Sequence, residues 1–436
     1  MDFATYLLNM RISGIKCIEK EIRIDFYGKS IDKDFNPEKY RIKGIYGENG
    51  SGKSAIVAAV DIVRRFIFEE NYLRDIQQQS LLNELINKKT KEFSFCCEFI
   101  TNIESRLIFE YELKLRLEDS VEEIYVALES LKYKENSSKN KQKTLFVCEN
   151  GDFIELNVNE ELKQFIEGKT RNLLSKQSAL FSIFSIQSEN NDKKNNTMHF
   201  VYATIFFLMI RTHFDREDIH KDYLKKKKTK ELLEKKAPAE IIIRELLKET
   251  NTSDNSVPID SYKQYKEGIK RLEKFVRLFK PGLKKIDIEK KENKGFYECE
   301  LLMDYGEYRV SKEFESTGIK KIMDLYNAFE LANLGSIVFI DELDSNINDI
   351  YLCRILEYFK YYGKGQVCFT SHNTDPMNVL KDNNKSIDFI SKDHRIVPWV
   401  KNGHYSPDSS YKNGMIMGLP FNIDATDFIG IFGREG

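Results

Sequence analysis

The chain has 436 residues, of which 41% are hydrophobic and 31% charged, a composition typical of a globular protein. Its formal net charge of -1 excludes a chain that binds nucleic acid through overall positive charge, so any such surface would be a local patch. The seven scattered cysteines form no CxxC pair, and the longest apolar run, 200–210, is about half the length that crosses a bilayer; we therefore expect reduced thiols, a cytoplasmic location, no zinc site and no membrane contact.

The first half of the chain predicts strands that lead into a phosphate-binding unit. Residues 5–27 alternate apolar and polar side chains and predict two strands joined by a turn near Gly14. A third strand near 40–46 runs into a glycine-rich turn, and 54–69 have the apolar spacing of a helix. Residues 91–157, rich in β-branched and aromatic side chains, predict a β meander. Strand, glycine loop and helix together indicate the start of a nucleotide-binding α/β unit.

The second half predicts a helical insertion and then the return of the α/β core. Residues 185–282 predict mostly helices, and the basic run 221–236 within them is either a solvated helix end or a patch that contacts phosphates. Strands are predicted at 284–310 and a helix at 316–332. A buried strand, another helix and a strand at 366–370 then close the core.

The strongest motif is the glycine-rich stretch 47–54, GENGSGKS, which fits the phosphate-loop pattern GxxxxGK[ST]. Glycines let the loop wrap so that backbone N–H groups face the phosphates, and the following helix points its positive end at them. Lys53 is expected to reach the β- and γ-phosphates of ATP, and the Ser54 hydroxyl is expected to ligate Mg²⁺. The residues predicted to contact the nucleotide are Gly47, Asn49, Gly50, Ser51, Gly52, Lys53 and Ser54.

An acidic pair, Asp341 and Glu342, follows the apolar stretch 337–340. Four apolar residues in a row indicate a buried strand of a parallel sheet, and ligands bind at the carboxyl end of such strands. Asp341 is expected to hold the magnesium ion, directly or through water. Glu342 is expected to act as the general base on the attacking water.

These motifs, with the later FTSH stretch at 369–372, resemble the ABC-type ATPases of the SMC, RecF and OLD branch. The resemblance implies an α/β fold: an ABC-type P-loop core, made of a mixed sheet with an antiparallel meander and split by a mostly helical insertion. It also implies that His372 contacts the γ-phosphate and assists catalysis with Lys53 and Glu342. Asp344 lies in the loop that, in this branch, meets the partner subunit, and the resemblance implies that Asp344, Ser316 and Gly318 also contact the nucleotide.

The resemblance further implies a signature serine, here Ser316, which reaches ATP held by the other copy of a homodimer or higher homo-oligomer. Ser316 would also cap the helix that follows, whose exposed N–H groups attract an anion. The match departs from the transporter form, because Thr317, Gly318 and Ile319 stand where two glycines and a glutamine would be. The departure leaves the rate of hydrolysis open.

A further feature of this branch is a glutamine between the phosphate loop and the insertion. Gln77, Gln78 and Gln79 lie in a suitable place, and the sequence does not choose among them. An exposed helix surface explains them equally well.

The order of these motifs is most similar to the single-chain AAA ATPases of bacterial abortive-infection and anti-phage operons, such as the AriA subunit of PARIS systems. The implied domains are the first half of the ATPase core at 1–184, a helical insertion or lid at 185–282, and the second half of the core with a short tail at 283–436.

Nuclease chemistry finds little support in the residues. The stretch after His372 is too short for the TOPRIM nuclease domain of OLD-type proteins, and the six histidines are too scattered for an HNH site. His213 and His220, with Arg211 and Arg216, invite an RNase interpretation, but the spacing from Arg216 to His220 is one residue short of that motif. We therefore expect an ATPase without an effector of its own.

The resemblance implies an ATP-binding and ATP-hydrolysing switch of anti-phage defence, which senses infection and controls a separately encoded nuclease or toxin. Two alternatives stay open: a RecF- or SMC-like ATPase acting on DNA in repair or chromosome maintenance, and a nuclease hidden in the insertion or tail. The first alternative predicts a basic surface that binds DNA.

Overall fold

The structure, a computed structural model, describes residues 5–28, 31, 35–103, 105–118, 123–135, 140–189, 198–214, 256–293, 295–401 and 405–416. The basic run 221–236, Arg216 and His220 lie outside the described residues. Within the part of the chain that is described, no helix is both long enough and apolar enough to span a membrane.

The strands are β1 (Thr5–Ser13), β2 (Ile22–Asp25), β3 (Ile42–Gly47), β4 (Glu92–Asn102), β5 (Arg106–Glu118), β6 (Glu123–Glu135), β7 (Lys143–Glu149), β8 (Asp152–Leu156), β9 (Ile210–His213), β10 (Ser256–Pro258), β11 (Lys285–Asn293), β12 (Phe296–Asp304), β13 (Arg309–Ser311), β14 (Ile337–Ile340), β15 (Gln366–Ser371), β16 (Ile387–Ile390) and β17 (Ile396–Pro398). The α-helices are α1 (Lys53–Phe68), α2 (Ile76–Leu85), α3 (Glu160–Thr170), α4 (Ala179–Glu189), α5 (Met198–Met209), α6 (Tyr262–Phe279), α7 (Thr317–Asn333), α8 (Asp349–Tyr362), α9 (Asp375–Leu380) and α10 (Pro407–Lys412).

A six-stranded sheet carries the motifs, in the order β17-β16-β3-β15-β14-β9. All neighbours are parallel except β17, which runs antiparallel to β16. Every residue of β3, β14, β15 and β16 is buried, as expected of a parallel sheet covered on both faces. Side chains of α1 pack in the core on one face, and side chains of α7 and α8 pack in the core on the other. The carboxyl ends of β3, β14 and β15 therefore meet at one edge.

A seven-stranded antiparallel sheet, β2-β1-β4-β5-β6-β7-β8, shares the core of α1 and α5. Phe99 of β4 stacks on Phe206 of α5, with ring centroids 3.7 Å apart. Gly14, directly after β1, has a φ of +70°, and a Cβ there would lie 1.7 Å from the Glu92 carbonyl oxygen, so the turn requires glycine. The predicted meander is confirmed.

A smaller sheet, β10-β12-β11 with β13 paired to β12, packs on α6 and α7 around a third core. The apolar face of α6 enters this core through Tyr265, Ile269 and Leu272. Because α7 contributes side chains both to this core and to the core of the parallel sheet, it joins the two.

The predicted α/β core of the P-loop ATPase type, with its antiparallel meander, is confirmed. The region predicted as mostly helical, 185–282, also holds two strands, β9 and β10. β9 is an edge strand of the parallel sheet beside β14. With only four residues next to a long apolar helix, it has no periodicity of its own, which is why the sequence did not predict it. The domain boundaries stay predictions.

Candidate active site

The phosphate loop joins β3 to α1, and three of its glycines occupy places that other residues would not fit. Gly50 and Gly52 have φ values of +78° and +108°, in the region that favours glycine. A Cβ on Gly47 would lie 2.6 Å from the Ile390 carbonyl oxygen. The loop therefore requires glycine at these three positions, and α1 begins directly behind it.

Lys53 is buried at the start of α1, and its Nζ donates to the carbonyls of Gly47 at 2.7 Å and Glu48 at 2.9 Å. Burial lowers the pKa of Lys53 to about 8, although nearby carboxylates act to raise it. Those carboxylates are Asp341, Glu342, Asp344 and Glu48. The lysine of the phosphate loop thus faces the acidic residues that follow β14, as the sequence predicts for a nucleotide site.

One hydroxyl group holds both members of the acidic pair. The Thr370 Oγ1 donates to Asp341 Oδ1 at 2.6 Å and accepts from the Glu342 N–H at 2.8 Å. Glu342 has a φ of +48°, a conformation that costs free energy for a residue other than glycine. The bond to its N–H stabilises that conformation, so Thr370 positions the predicted general base.

The loops that follow β14 and β15 are tied together by Asp344. Its carboxylate accepts from the backbone N–H of His372 at 3.1 Å and of Asn373 at 2.9 Å. Partial burial and the positive charge of Lys53 lower the pKa of His372, while Asp344 and the acidic pair oppose that shift. The lowered pKa favours the neutral imidazole of His372 at pH 7. His372 also lies close enough to Lys53 and the acidic pair for their charges to affect its pKa.

Ser316 caps α7, and its Oγ accepts from the Ile319 N–H at 3.5 Å. The residue is exposed, so its hydroxyl is accessible to another molecule. Gly318, in the first turn of α7, lies against the loop after β14, because an added Cβ would meet the Asn346 carbonyl oxygen at 2.7 Å. The structure thus places Ser316 and Gly318 beside the loop of Asp344, on one surface of the chain.

The three candidate glutamines lie on α2 and have different surroundings. The Gln79 side chain accepts from the Ile124 N–H at 2.8 Å and donates to the Ile124 carbonyl at 3.0 Å, which ties α2 to the meander. Gln77 is exposed, whereas Gln78 is buried and its Oε1 has no hydrogen-bond partner among the described residues. The structural task of Gln79 makes it the least suited to contact a nucleotide.

Two residues of the RNase interpretation lie on β9. The Arg211 guanidinium is buried and donates to the backbone carbonyls of Leu208 and Ile210. The His213 carbonyl accepts from the Asp341 N–H at 2.9 Å, which fixes the edge of the sheet next to the acidic pair. Both residues thus serve the backbone geometry of this edge.

Sequence reasoning missed Thr370, although it stands inside the FTSH stretch quoted for His372. A signal was available, because a polar residue near the end of an otherwise apolar buried strand needs a hydrogen-bond partner. The partner was not predictable, since β14 had first to be placed beside β15.

The side chains at the site fit a phosphate group together with a divalent cation such as Mg²⁺. Oxygen ligands such as the Ser54 hydroxyl and the buried Asp341 carboxylate are those that Mg²⁺ prefers. Thr370 donates to Oδ1 of Asp341, and no hydrogen bond to Oδ2 is seen among the described residues. Oδ2 can therefore serve as a ligand to the cation. Lys53 supplies the positive charge that a phosphate requires.

Comparison with known proteins assigns a family. The model described as "AAA domain, putative AbiEii toxin, Type IV TA system" matches residues 42–375. No curated protein gives a match. Among solved structures, the recombination mediator protein RecF with ATP, of the RecFOR pathway, is similar over 91% of this chain and 98% of that chain, at 14% identity and a TM-score of 0.40. RecF with ATPrS is similar over 91% and 99%, at 13% identity and a TM-score of 0.39.

The family match begins at the first residue of β3 and ends just beyond His372. It spans the phosphate loop, Ser316, the acidic pair and Thr370, and so includes every group of the site described above. The chain therefore belongs to the AAA-domain family that carries the description of AbiEii toxins of type IV toxin–antitoxin systems.

Proposed function

We propose that this chain binds ATP with Mg²⁺ and hydrolyses it in a site that a second copy completes. The observation that carries the proposal is the convergence of Lys53, the acidic pair and His372 at one edge of the parallel sheet. Mg²⁺, when bound, would neutralise phosphate charge, and Ser54 and Asp341 would hold it.

The residues of the chain have separate tasks in this reaction. Lys53 binds the β- and γ-phosphates and spreads their charge, while the N–H groups of the loop orient them. Glu342, held by Thr370, accepts a proton from the attacking water. His372 donates a hydrogen bond to the γ-phosphate. Together these groups supply orientation and electrostatic stabilisation, the main sources of catalysis in phosphoryl transfer.

The surface around Ser316 supports assembly of two copies. Phe314, shortly before Gly318 along the chain, is 83% exposed, and Ile350, shortly after Asn346, is 67% exposed. Large exposed apolar side chains beside polar groups are typical of interaction sites. A second copy bound at this surface would cover these side chains. Ser316 and Asp344 of the first copy would then lie beside the nucleotide that the second copy holds. ATP would then favour the dimer, because it binds the paired state better.

A measurement of mass in solution tests this proposal. Glu342→Gln removes the base but keeps the shape, so we expect this variant to form dimers with ATP and Mg²⁺ and to remain monomeric without them, by light scattering. Ser316→Arg in the same background should abolish the dimer, whereas Ser105→Arg, at another exposed serine, should not. If the mass of all three variants were the same with and without ATP, the composite site would be contradicted.

We further propose that the switch serves anti-phage defence and controls a separately encoded effector, as in the PARIS-like operons that the motif order resembles. The family description, which names a putative AbiEii toxin and a type IV toxin–antitoxin system, supports this class of function. The effector would be a nuclease or toxin whose access to its target depends on the nucleotide state of this chain.

Affinity purification of the tagged chain, expressed with its flanking genes, tests this role. Wild type should retain a stoichiometric protein partner. The amount of partner that Lys53→Ala retains should differ from that of wild type. Lys364→Ala is the matched control, because Lys364 is an exposed lysine that lies outside the motifs, just before β15. A chain that emerges alone, or with DNA that salt removes, would favour the RecF-like alternative instead.

A further inference from the structure

The turn between β16 and β17, residues 391–395, lies against the phosphate loop. His394 Nδ1 is 2.7 Å from the Ser51 carbonyl oxygen. Lys392 Nζ is 3.1 Å from Glu48 Oε2. The turn therefore contacts the phosphate loop at two points, one on each side of Gly50. None of the motifs that identify the site includes Lys392 or His394.

The turn is rigidly built. The Ser391 N–H donates to the Arg395 carbonyl at 3.0 Å, and the His394 N–H donates to the Ser391 carbonyl at 2.9 Å. His394 itself has a φ of +55°, which is uncommon for a residue other than glycine. In addition, Ile390 at the end of β16 pairs with Gly47 at the end of β3. His394 is thus held in place relative to the loop.

The chemistry of the contact fixes its direction. A carbonyl oxygen only accepts hydrogen bonds, so Nδ1 of His394 carries the proton and donates. The Ser51 carbonyl belongs to the same planar trans peptide as the Gly52 N–H, and these two groups point in opposite directions. A donor outside the loop that holds this carbonyl therefore turns the Gly52 N–H inward. Gly52 has a φ of +108°, so few other residues would accept this peptide orientation.

We propose that His394 is a positioning residue for phosphate binding: through the Ser51 carbonyl it keeps the Gly52 N–H facing the phosphates of the nucleotide. The inference rests on the proposed ATP-binding function and adds to it a residue far from the motifs. Its benefit is preorganisation, because a peptide already turned toward the anion loses less entropy on binding. The ion pair from Lys392 to Glu48 supports the same loop from its other end.

The test compares two substitutions at His394. In asparagine, the side-chain amide nitrogen takes the place of Nδ1 and donates to the same carbonyl, whereas alanine leaves the carbonyl without its donor. We expect His394→Ala to weaken ATP and ADP binding about tenfold, equivalent to about 1.4 kcal/mol. His394→Asn should restore the affinity to within about threefold of wild type. Both variants are measured by calorimetric titration, and their unfolding midpoints without nucleotide are measured in parallel.

The outcomes separate the inference from the proposed function. If wild type binds no ATP, both fail. If wild type binds ATP and His394→Ala binds it equally well, only the role of His394 is overturned. A loss of affinity that asparagine does not restore, with a matching fall in the unfolding midpoint, would also overturn it, because that pattern indicates a structural role alone.

Discussion

The hydroxyl of Thr370, near the end of β15, donates at 2.6 Å to Asp341, which directly follows the neighbouring strand β14. The same oxygen accepts from the Glu342 N–H, so one buried side chain sets the orientation of a predicted metal ligand and a predicted base. Partners of this kind are often needed nearly as much as the ligands themselves.

Thr370→Val keeps the shape of the side chain and removes the hydroxyl. We expect it to lower ATP turnover about 10- to 100-fold, because Asp341 loses a donor and the half-buried Glu342 loses the acceptor of its N–H. Steady-state phosphate release measures the effect. Thr370→Ser keeps the hydroxyl and should retain most of the activity; equal loss in both variants would show that the methyl group, and not the hydrogen bond, matters.

The pKa of Lys53, which burial lowers to about 8, predicts a pH dependence of ATP binding. A bound phosphate stabilises the charged lysine and raises its pKa again. Above about pH 8 the free lysine is increasingly neutral, so binding must take up a proton and the affinity should fall as pH rises. Calorimetric titration between pH 7 and about 9.5, in buffers of different ionisation enthalpy, would detect the proton uptake.

Lys53→Arg is the control for this prediction, because arginine stays protonated throughout the range. Its affinity for ATP, whatever its size, should not change with pH in the same way. An affinity of the wild type that is constant across the range would contradict the lowered pKa.

A buried ion pair joins β3 to β16: Lys43 Nζ is 2.8 Å from Asp388 Oδ2, with side chains only 3% and 2% exposed. Lys43→Met leaves Asp388 buried without its partner, which we expect to lower the free energy of unfolding by about 3–5 kcal/mol. The double variant with Asp388→Leu should recover most of this loss, since an apolar pair needs no charge compensation. Urea denaturation measures each variant.

The matched control is an exposed ion pair, Arg354 with Glu357, whose side chains are 74% and 40% exposed. Arg354→Met should change the free energy of unfolding by less than about 1 kcal/mol, because solvent screens the pair. Equal effects of the two substitutions would argue against the burial of Lys43 and Asp388.

Glu129 on β6 is fully buried at the start of α4, where it accepts from Ser178 Oγ at 2.7 Å and from the Ala179 N–H at 2.6 Å. Burial raises its pKa from 4.5 to about 7, although the hydrogen bonds oppose the shift. Because the folded state then binds the proton more tightly than the unfolded state, the contribution of Glu129 to the free energy of unfolding is full at low pH. It is lost as pH rises from about 4.5 through 7.

We therefore expect the stability of wild type to fall, relative to Glu129→Gln, by on the order of 3 kcal/mol between pH 4.5 and 8. Glutamine does not ionise, so the difference between the two chains isolates this group even if the substitution itself is destabilising. Urea denaturation at several pH values gives the comparison. Parallel pH curves would show that the Glu129 carboxyl ionises normally.

Sequence by itself was sufficient for the phosphate loop, the acidic pair and the fold class. The loop and the pair are contiguous motifs whose chemistry depends on neighbours along the chain, as with Lys53 after Gly52. The strands and helices around them follow from apolar periodicity, which local sequence carries. The meander of β4 to β8 belongs to this group, since antiparallel neighbours joined by short turns need no long-range information.

Tertiary structure alone decided which distant residues meet. Thr370 touches Asp341 because β15 lies between β3 and β14, and His394 reaches Ser51 because β16 lies on the other side of β3. β9 joins the same sheet from within a region that the sequence predicts as helical. The order of strands in a parallel sheet results from the packing of crossover segments against both faces. That packing is a property of the whole core, which no local pattern of residues records.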